Sequence, residues 1–157
     1  MDKLLENKDV TKTINDYDLL FVYGTLRKSG SLHKLYLTDA IYSTTIKLSG
    51  VKLYESQLLP VAVLTKKDKH KIKGELYYVL KTDMLSIDRL ESSYRKVKLT
   101  VAISGYSEKQ EVIMYVKKTT EIINLQPYRI KSGDWILHQK IFEDKVNKMC
   151  EEERFCM

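Results

Sequence analysis

The stretch Asp18-Leu19-Leu20-Phe21-Val22-Tyr23-Gly24-Thr25-Leu26-Arg27 decides how the rest of this 157-residue chain is read. Leu19 to Val22 form an apolar run too short for a helix and rich in β-formers, which reads as a strand buried on both faces. Tyr23-Gly24-Thr25-Leu26 is then a turn. A glycine without a Cβ lets the backbone take positive φ and approach a ligand closely, leaving neighbouring N–H groups free to receive an anion. On its own the glycine predicts only a turn; motifs further along the chain give it a function.

Working outward, Ala40 to Leu48, Val51 to Tyr54, Leu59 to Leu64 and Ile72 to Leu80 read as strands, punctuated by Ser49-Gly50 and by Glu55-Ser56-Gln57 before Pro60. Arg95 to Ile103 and Val112 to Lys118 alternate as a pair of strands around a turn at Gly105. Thr82 to Glu91 has a cap pair, Thr82-Asp83, and apolar residues at helical spacing. Leu32 to Leu37 offers a short helical turn capped by Ser29 or Ser31. Ile141, Phe142, Val146 and Met149 predict a C-terminal amphipathic helix that packs across the sheet or a partner. Six to seven strands with so few helices between them point to an α+β fold with a mixed, barrel-like sheet. Residues 1–17 read as a loose arm and 18–157 as one domain.

Composition excludes several classes. The net charge of +6 and pI near 9.1 invite nucleic acid. The lysines are scattered, though, and no aromatic platform is interleaved with them, so a lysine-rich solvated surface is the reading. No apolar run is long enough to cross a bilayer, and the first residues lack the apolar core of a secretory signal; a cytoplasmic protein is expected. The two cysteines, Cys150 and Cys156, sit near the C-terminus and are expected to be reduced. Neither His70 nor His138 has a partner at metal-ligand spacing, and no phosphate-cradling loop or other cofactor signature is present, so neither metal nor cofactor is expected. Glu75, alone on a strand, is expected at the surface.

Four motifs fall in order: Phe21-Val22-Tyr23-Gly24-Thr25-Leu26-Arg27, Gly74-Glu75-Leu76-Tyr77, Ile87-Asp88-Arg89-Leu90-Glu91 followed by Tyr94-Arg95, and Ser132-Gly133-Asp134-Trp135. Together they resemble the γ-glutamylcyclotransferase-like family, which includes the γ-glutamylamine cyclotransferases and the plant AIG2-like proteins. The resemblance spans residues 18–137. It implies a cofactor-free enzyme that releases 5-oxoproline and a free amine from a small γ-glutamyl substrate, with Glu91 as acid–base catalyst. Glu91-Ser92-Ser93 with Tyr94-Arg95 looks closer to the γ-glutamylamine branch.

The resemblance further implies that the N–H groups of Tyr23, Gly24, Thr25 and Leu26 bind the substrate's α-carboxylate or steady an oxyanion. Tyr94, by resemblance, orients Glu91 or touches substrate. Tyr115 lies on a strand expected to line the pocket. His33 and Trp135 read as structural, the latter with Asp134 capping. Leu32 stands where family members often carry asparagine. The other function class is a non-catalytic binding module that keeps the same pocket for a γ-glutamyl-like metabolite or a protein partner.

Overall fold

The computed structural model describes residues 13–67, 69–123 and 127–153. The expected N-terminal arm lies mostly outside these residues; Ile14–Asp16 form one 3-10 turn and β1 starts at Tyr17. Eight strands are present among the described residues: β1 (Tyr17–Val22), β2 (Ile41–Ser49), β3 (Val51–Ser56), β4 (Leu59–Leu64), β5 (Lys71–Leu80), β6 (Arg95–Val101), β7 (Gln110–Val116) and β8 (Tyr128–Arg129). Four helices join them: α1 (His33–Tyr36), α2 (Lys81–Leu90), α3 (Thr119–Ile122) and α4 (Trp135–Glu153).

The strands form two open sheets, one in the order β2-β5-β1-β7-β6 and one in the order β4-β3-β8. The α+β expectation holds, with the barrel-like description corrected: neither sheet closes. The strand that the sequence does not give is β8, two residues whose pairing with Tyr54 and Glu55 is too short to leave a periodic signal. Neighbours in the large sheet are antiparallel except β1 and β7, which run parallel at Leu20 and Ile113.

β1 is the middle strand and is covered on both faces, as its unbroken apolar run requires. Leu19, Phe21 and Tyr23 pack with Val51, Leu53 and Ala62 of the small sheet and with Trp135. Leu20 and Val22 point the other way, against Met84 and Ile87 of α2. Each such large side chain contributes about 1.5–3 kcal/mol by leaving water.

This arrangement brings three chain segments to one end of β1. β5 is antiparallel to β1 and finishes beside its start, with Leu80 opposite Tyr17. The ten residues of α2 then return about 15 Å along the face of a six-residue strand about 20 Å long. The end of α2 therefore lies near Tyr23. β7, parallel to β1, delivers Tyr115 to the same end.

Several local expectations are corrected. α2 starts at Lys81 with Leu80 as its N-cap and no side-chain cap bond, and α1 is likewise uncapped, with Leu32 in the N-cap position. α4 begins where Asp134 accepts from the Leu137 N–H at 3.1 Å, and Trp135 is buried, both as expected. Beyond that point it does not pack across the sheets: every residue from Ile141 to Met149 is exposed. Helical spacing identifies an apolar stripe and says nothing of what covers it. Cys150 is disulfide-bonded rather than a reduced thiol.

Gly74 in β5 is a packing glycine. A Cβ there would lie 2.4 Å from Phe21 Cζ and 2.5 Å from the Val22 carbonyl oxygen. Gly74→Ala is expected to cost about 1–3 kcal/mol through overpacking, read as a lower urea midpoint; an unchanged midpoint would contradict the packing described.

Candidate active site

At the end of β1 lies a cavity of about 170 Å³ lined by Tyr23, Gly24, Thr25, Leu26, Glu91, Tyr94 and Tyr115. All seven side chains or loop residues expected from the sequence are thus in one place. Leu32, Leu59, Pro60, Leu90 and Ser93 complete much of the wall.

The turn after β1 is shaped by where its carbonyls go. Gly24 O accepts from the Arg27 N–H at 3.0 Å and Thr25 O from the Leu32 N–H at 3.0 Å. Leu26 O accepts from His33 Nδ1 at 2.8 Å; a carbonyl can only accept, so that ring nitrogen carries the proton. Across a trans peptide the N–H points opposite to the C=O. With the Gly24 and Thr25 carbonyls engaged within the turn and the segment that follows it, the Thr25 and Leu26 N–H groups point away from those bonds. Among the described residues neither donates to a protein acceptor. This is an anion-receiving arrangement. His33 is structural, as expected, and its ring also packs 5.3 Å from that of Tyr77.

Gly24 serves the turn for a reason other than the expected one. Its φ is not positive; instead, a Cβ would sit 2.4 Å from Pro60 Cγ. The glycine lets β4 close one wall of the cavity.

Behind the turn is a buried ion network that the sequence reading missed. Arg27 Nε donates to Glu75 Oε2 at 2.9 Å, and its Nη1 to Asp134 Oδ1 at 2.8 Å. Glu75 Oε1 also accepts from the Lys28 N–H and from the Tyr77 hydroxyl, each at 2.8 Å. Glu75 is 7% exposed, not at the surface. Although burial alone would raise its pKa, these donors together hold it below the ordinary carboxylate value. Its only sequence signal was to be the one carboxylate of β5, followed by an apolar run from Leu76 to Leu80.

Glu91 occupies the C-cap of α2, where the helix dipole disfavours a negative charge. Among the described residues its carboxylate makes no ion pair. Burial pushes its pKa up from 4.5 to about 7, opposed by the charge of Lys117. The Lys117 ammonium lies 4.8 Å from the centroid of the Tyr94 ring. Lys117 follows Tyr115 by two residues, so extended-chain alternation could have put it on this side.

The tyrosines are held by other partners. Tyr94 does not orient Glu91; its hydroxyl donates to Pro60 O at 3.0 Å, and burial followed by the Glu91 charge pushes its pKa up to about 12. Tyr23 donates to Tyr115 O at 2.7 Å. Tyr115 donates to Asp88 Oδ1 at 2.5 Å, and burial and Asp88 raise its pKa. The described residues contain no cluster of three or more metal-ligating side chains, and none of their helices is long and apolar enough to cross a membrane.

The Glu91 carboxyl binds a proton more tightly in the folded chain than in the unfolded one. Its stabilising contribution is therefore complete below about pH 4.5 and is lost as pH rises through about 7. Glu91→Gln is expected to raise the melting temperature relative to wild type above about pH 8 and not below about pH 4. Equal shifts at both would contradict the burial of this carboxylate.

The comparisons with known proteins agree with this geometry. A family model described as gamma-glutamyl cyclotransferase, AIG2-like, matches residues 20–137. The chain is 30% identical over 128 residues to YkqA of Bacillus subtilis, provisionally named a gamma-glutamylcyclotransferase; the match covers 81% of this chain and 44% of YkqA. The chain thus spans less than half the length of that relative. The crystal structure of protein PH0828 from Pyrococcus horikoshii superposes with a TM-score of 0.62 at 29% identity, covering 81% of this chain and 97% of PH0828. An AIG2-like protein from Mus musculus shares the fold, with a TM-score of 0.63 at 19% identity, covering 76% of this chain and 88% of the mouse protein. With the glycine turn and Glu91 facing one cavity, and the model spanning most of its length, this chain belongs to the AIG2-like gamma-glutamyl cyclotransferase family.

Proposed function

We propose that this protein is a cofactor-free cyclotransferase that converts a γ-glutamyl amide to 5-oxoproline and a free amine. The observation that carries the reading is a buried carboxylate, Glu91, with a pKa near 7, in the same cavity as a turn with unpaired N–H groups.

A γ-glutamyl substrate contains its own nucleophile. The α-amine attacks the γ-carbonyl carbon, a five-membered ring closes, and the bond from that carbon to the amide nitrogen breaks. Well-oriented intramolecular attack reaches effective molarities on the order of 10⁵ M or more, so the protein's tasks are to fold the substrate and to move protons. Glu91 takes a proton from the α-ammonium group and returns it to the departing nitrogen. The two protons lost by the α-nitrogen end on the amine, which leaves as an ammonium ion. A carboxyl with a pKa near the working pH serves as both base and acid.

The Thr25 and Leu26 N–H groups receive the α-carboxylate or the developing oxyanion. The α-ammonium lies toward Glu91, so the zwitterionic end of the substrate meets donors on one side and a carboxylate on the other. The cavity volume suits a γ-glutamyl group with the leaving amine directed outward past Leu59 and Pro60. We assign the γ-glutamylamine type to the substrate on the sequence similarity around Glu91.

The test is 5-oxoproline release from γ-glutamyl amino acids, γ-glutamyl-ε-lysine and glutathione. Wild type is expected to release it from at least one, and Glu91→Gln to lose at least about 10²-fold in kcat with substrate binding retained. No release from any of the three classes would overturn the reading. The wild-type kcat/KM is expected to rise with pH through about 7, as the base form accumulates. Since the Lys117 charge lowers the Glu91 pKa, Lys117→Met should move that rise to higher pH; a fall in the midpoint would contradict the assignment.

A further inference from the structure

Asp88 is a carboxylate beside the cavity to which the mechanism above gives no task. It lies three residues before Glu91, on the same side of the last turn of α2. Two contacts define its state. The Lys96 ammonium is 3.2 Å from Oδ1. The Tyr115 hydroxyl donates to the same oxygen at 2.5 Å.

The second contact fixes the polarity of the hydroxyl of Tyr115, a residue of the cavity wall. A tyrosine hydroxyl has one proton and can also accept. With its proton committed to Asp88, Tyr115 Oη can only accept from anything in the cavity. The other two hydroxyls follow the same rule: Tyr94 donates to Pro60 O and Tyr23 to Tyr115 O. No proton on any of the three is left for a ligand. A carboxylate or carbonyl would find no donor among them, whereas an ammonium group, with three N–H donors, would find acceptors.

We propose that Asp88 is a positioning residue that holds Tyr115 Oη as the hydrogen-bond acceptor for the substrate's α-amino group, aiming the attacking nitrogen. The inference rests on the γ-glutamyl reading above and extends it. The substrate's carboxylate end is read by backbone donors at the turn after β1. Its amino end is read by Tyr115, whose polarity Asp88 sets, together with Glu91. A ligand lacking the α-amino group loses only the second set of contacts.

The test is calorimetric binding of two ligands, γ-glutamyl ethylamide and its des-amino analogue glutaryl monoethylamide, to protein carrying Glu91→Gln to prevent turnover. Into this parent are placed Asp88→Ala, Tyr115→Phe and both together. Each single change should weaken γ-glutamyl ethylamide by roughly tenfold, the order expected for one hydrogen bond. The double change should weaken it no further, since both remove the same contact. Binding of the des-amino ligand should be unaffected by all three. Losses that multiply in the double variant, or equal weakening of both ligands, would show that Asp88 only supports the fold and would overturn the proposal.

Should Asp88→Ala fail to fold, Asp88→Glu keeps the charge and displaces the acceptor by one methylene. It should show the same selective loss, and parental affinity for γ-glutamyl ethylamide would overturn the proposal. A parent that binds neither ligand would overturn the γ-glutamyl reading and this inference with it, a result distinct from the others.

Discussion

The structure depends on the buried contact between Arg27 and Glu75. Arginine and glutamate are almost never fully buried unless paired, and removing both from water costs several kcal/mol per ion. Here Glu75 accepts from Arg27, the Lys28 N–H and Tyr77, while Arg27 reaches on to Asp134. The contact joins the turn after β1 to the next strand of the sheet and to the first turn of α4. A turn with outward-facing N–H groups cannot be held by those groups, so it is held from behind. This network and the accepting carbonyls of Gly24, Thr25 and Leu26 supply that hold.

The opposite wall follows the reverse logic. Glu75 is surrounded by donors and stays ionised, whereas Glu91 is buried with one distant cation and has its proton affinity raised. Two carboxylates of one fold are thus pushed in opposite directions by their surroundings, one toward a fixed charge and one toward a raised proton affinity. Glu91 makes the folded state less stable at alkaline pH. A third carboxylate, Asp88, is paired with Lys96 and fixes the direction of the Tyr115 hydroxyl.

Much of this was legible in the sequence, unevenly and for physical reasons. The double burial of β1 follows from four successive apolar residues, because a half-exposed strand would alternate. α2 follows from its period, and Asp134 and Trp135 from a turn and cap. The gathering of Tyr23 to Leu26 with Glu91 and Tyr94 was expected from four ordered motifs rather than from periodicity, and that of Tyr115 from the strand it lies on. What the sequence did not disclose are relations between distant residues. Gly24 looks like a positive-φ glycine until Pro60 is seen against it. Glu75 looks exposed until Arg27 is found, 48 residues away. The stripe on α4 is apolar, yet the sheets do not cover it. A pattern states what a residue prefers to bury and leaves its partner unnamed.

The fold itself, before any ligand arrives, raises the proton affinity of Glu91 into the range useful for exchange. A carbon-detected NMR titration of the Glu91 side-chain carboxyl tests it most directly, with the resonance assigned through Glu91→Gln. The expected midpoint is near 7. A midpoint at the ordinary carboxylate value of 4.5 would mean that Glu91 is a solvated surface charge, and would contradict the claim.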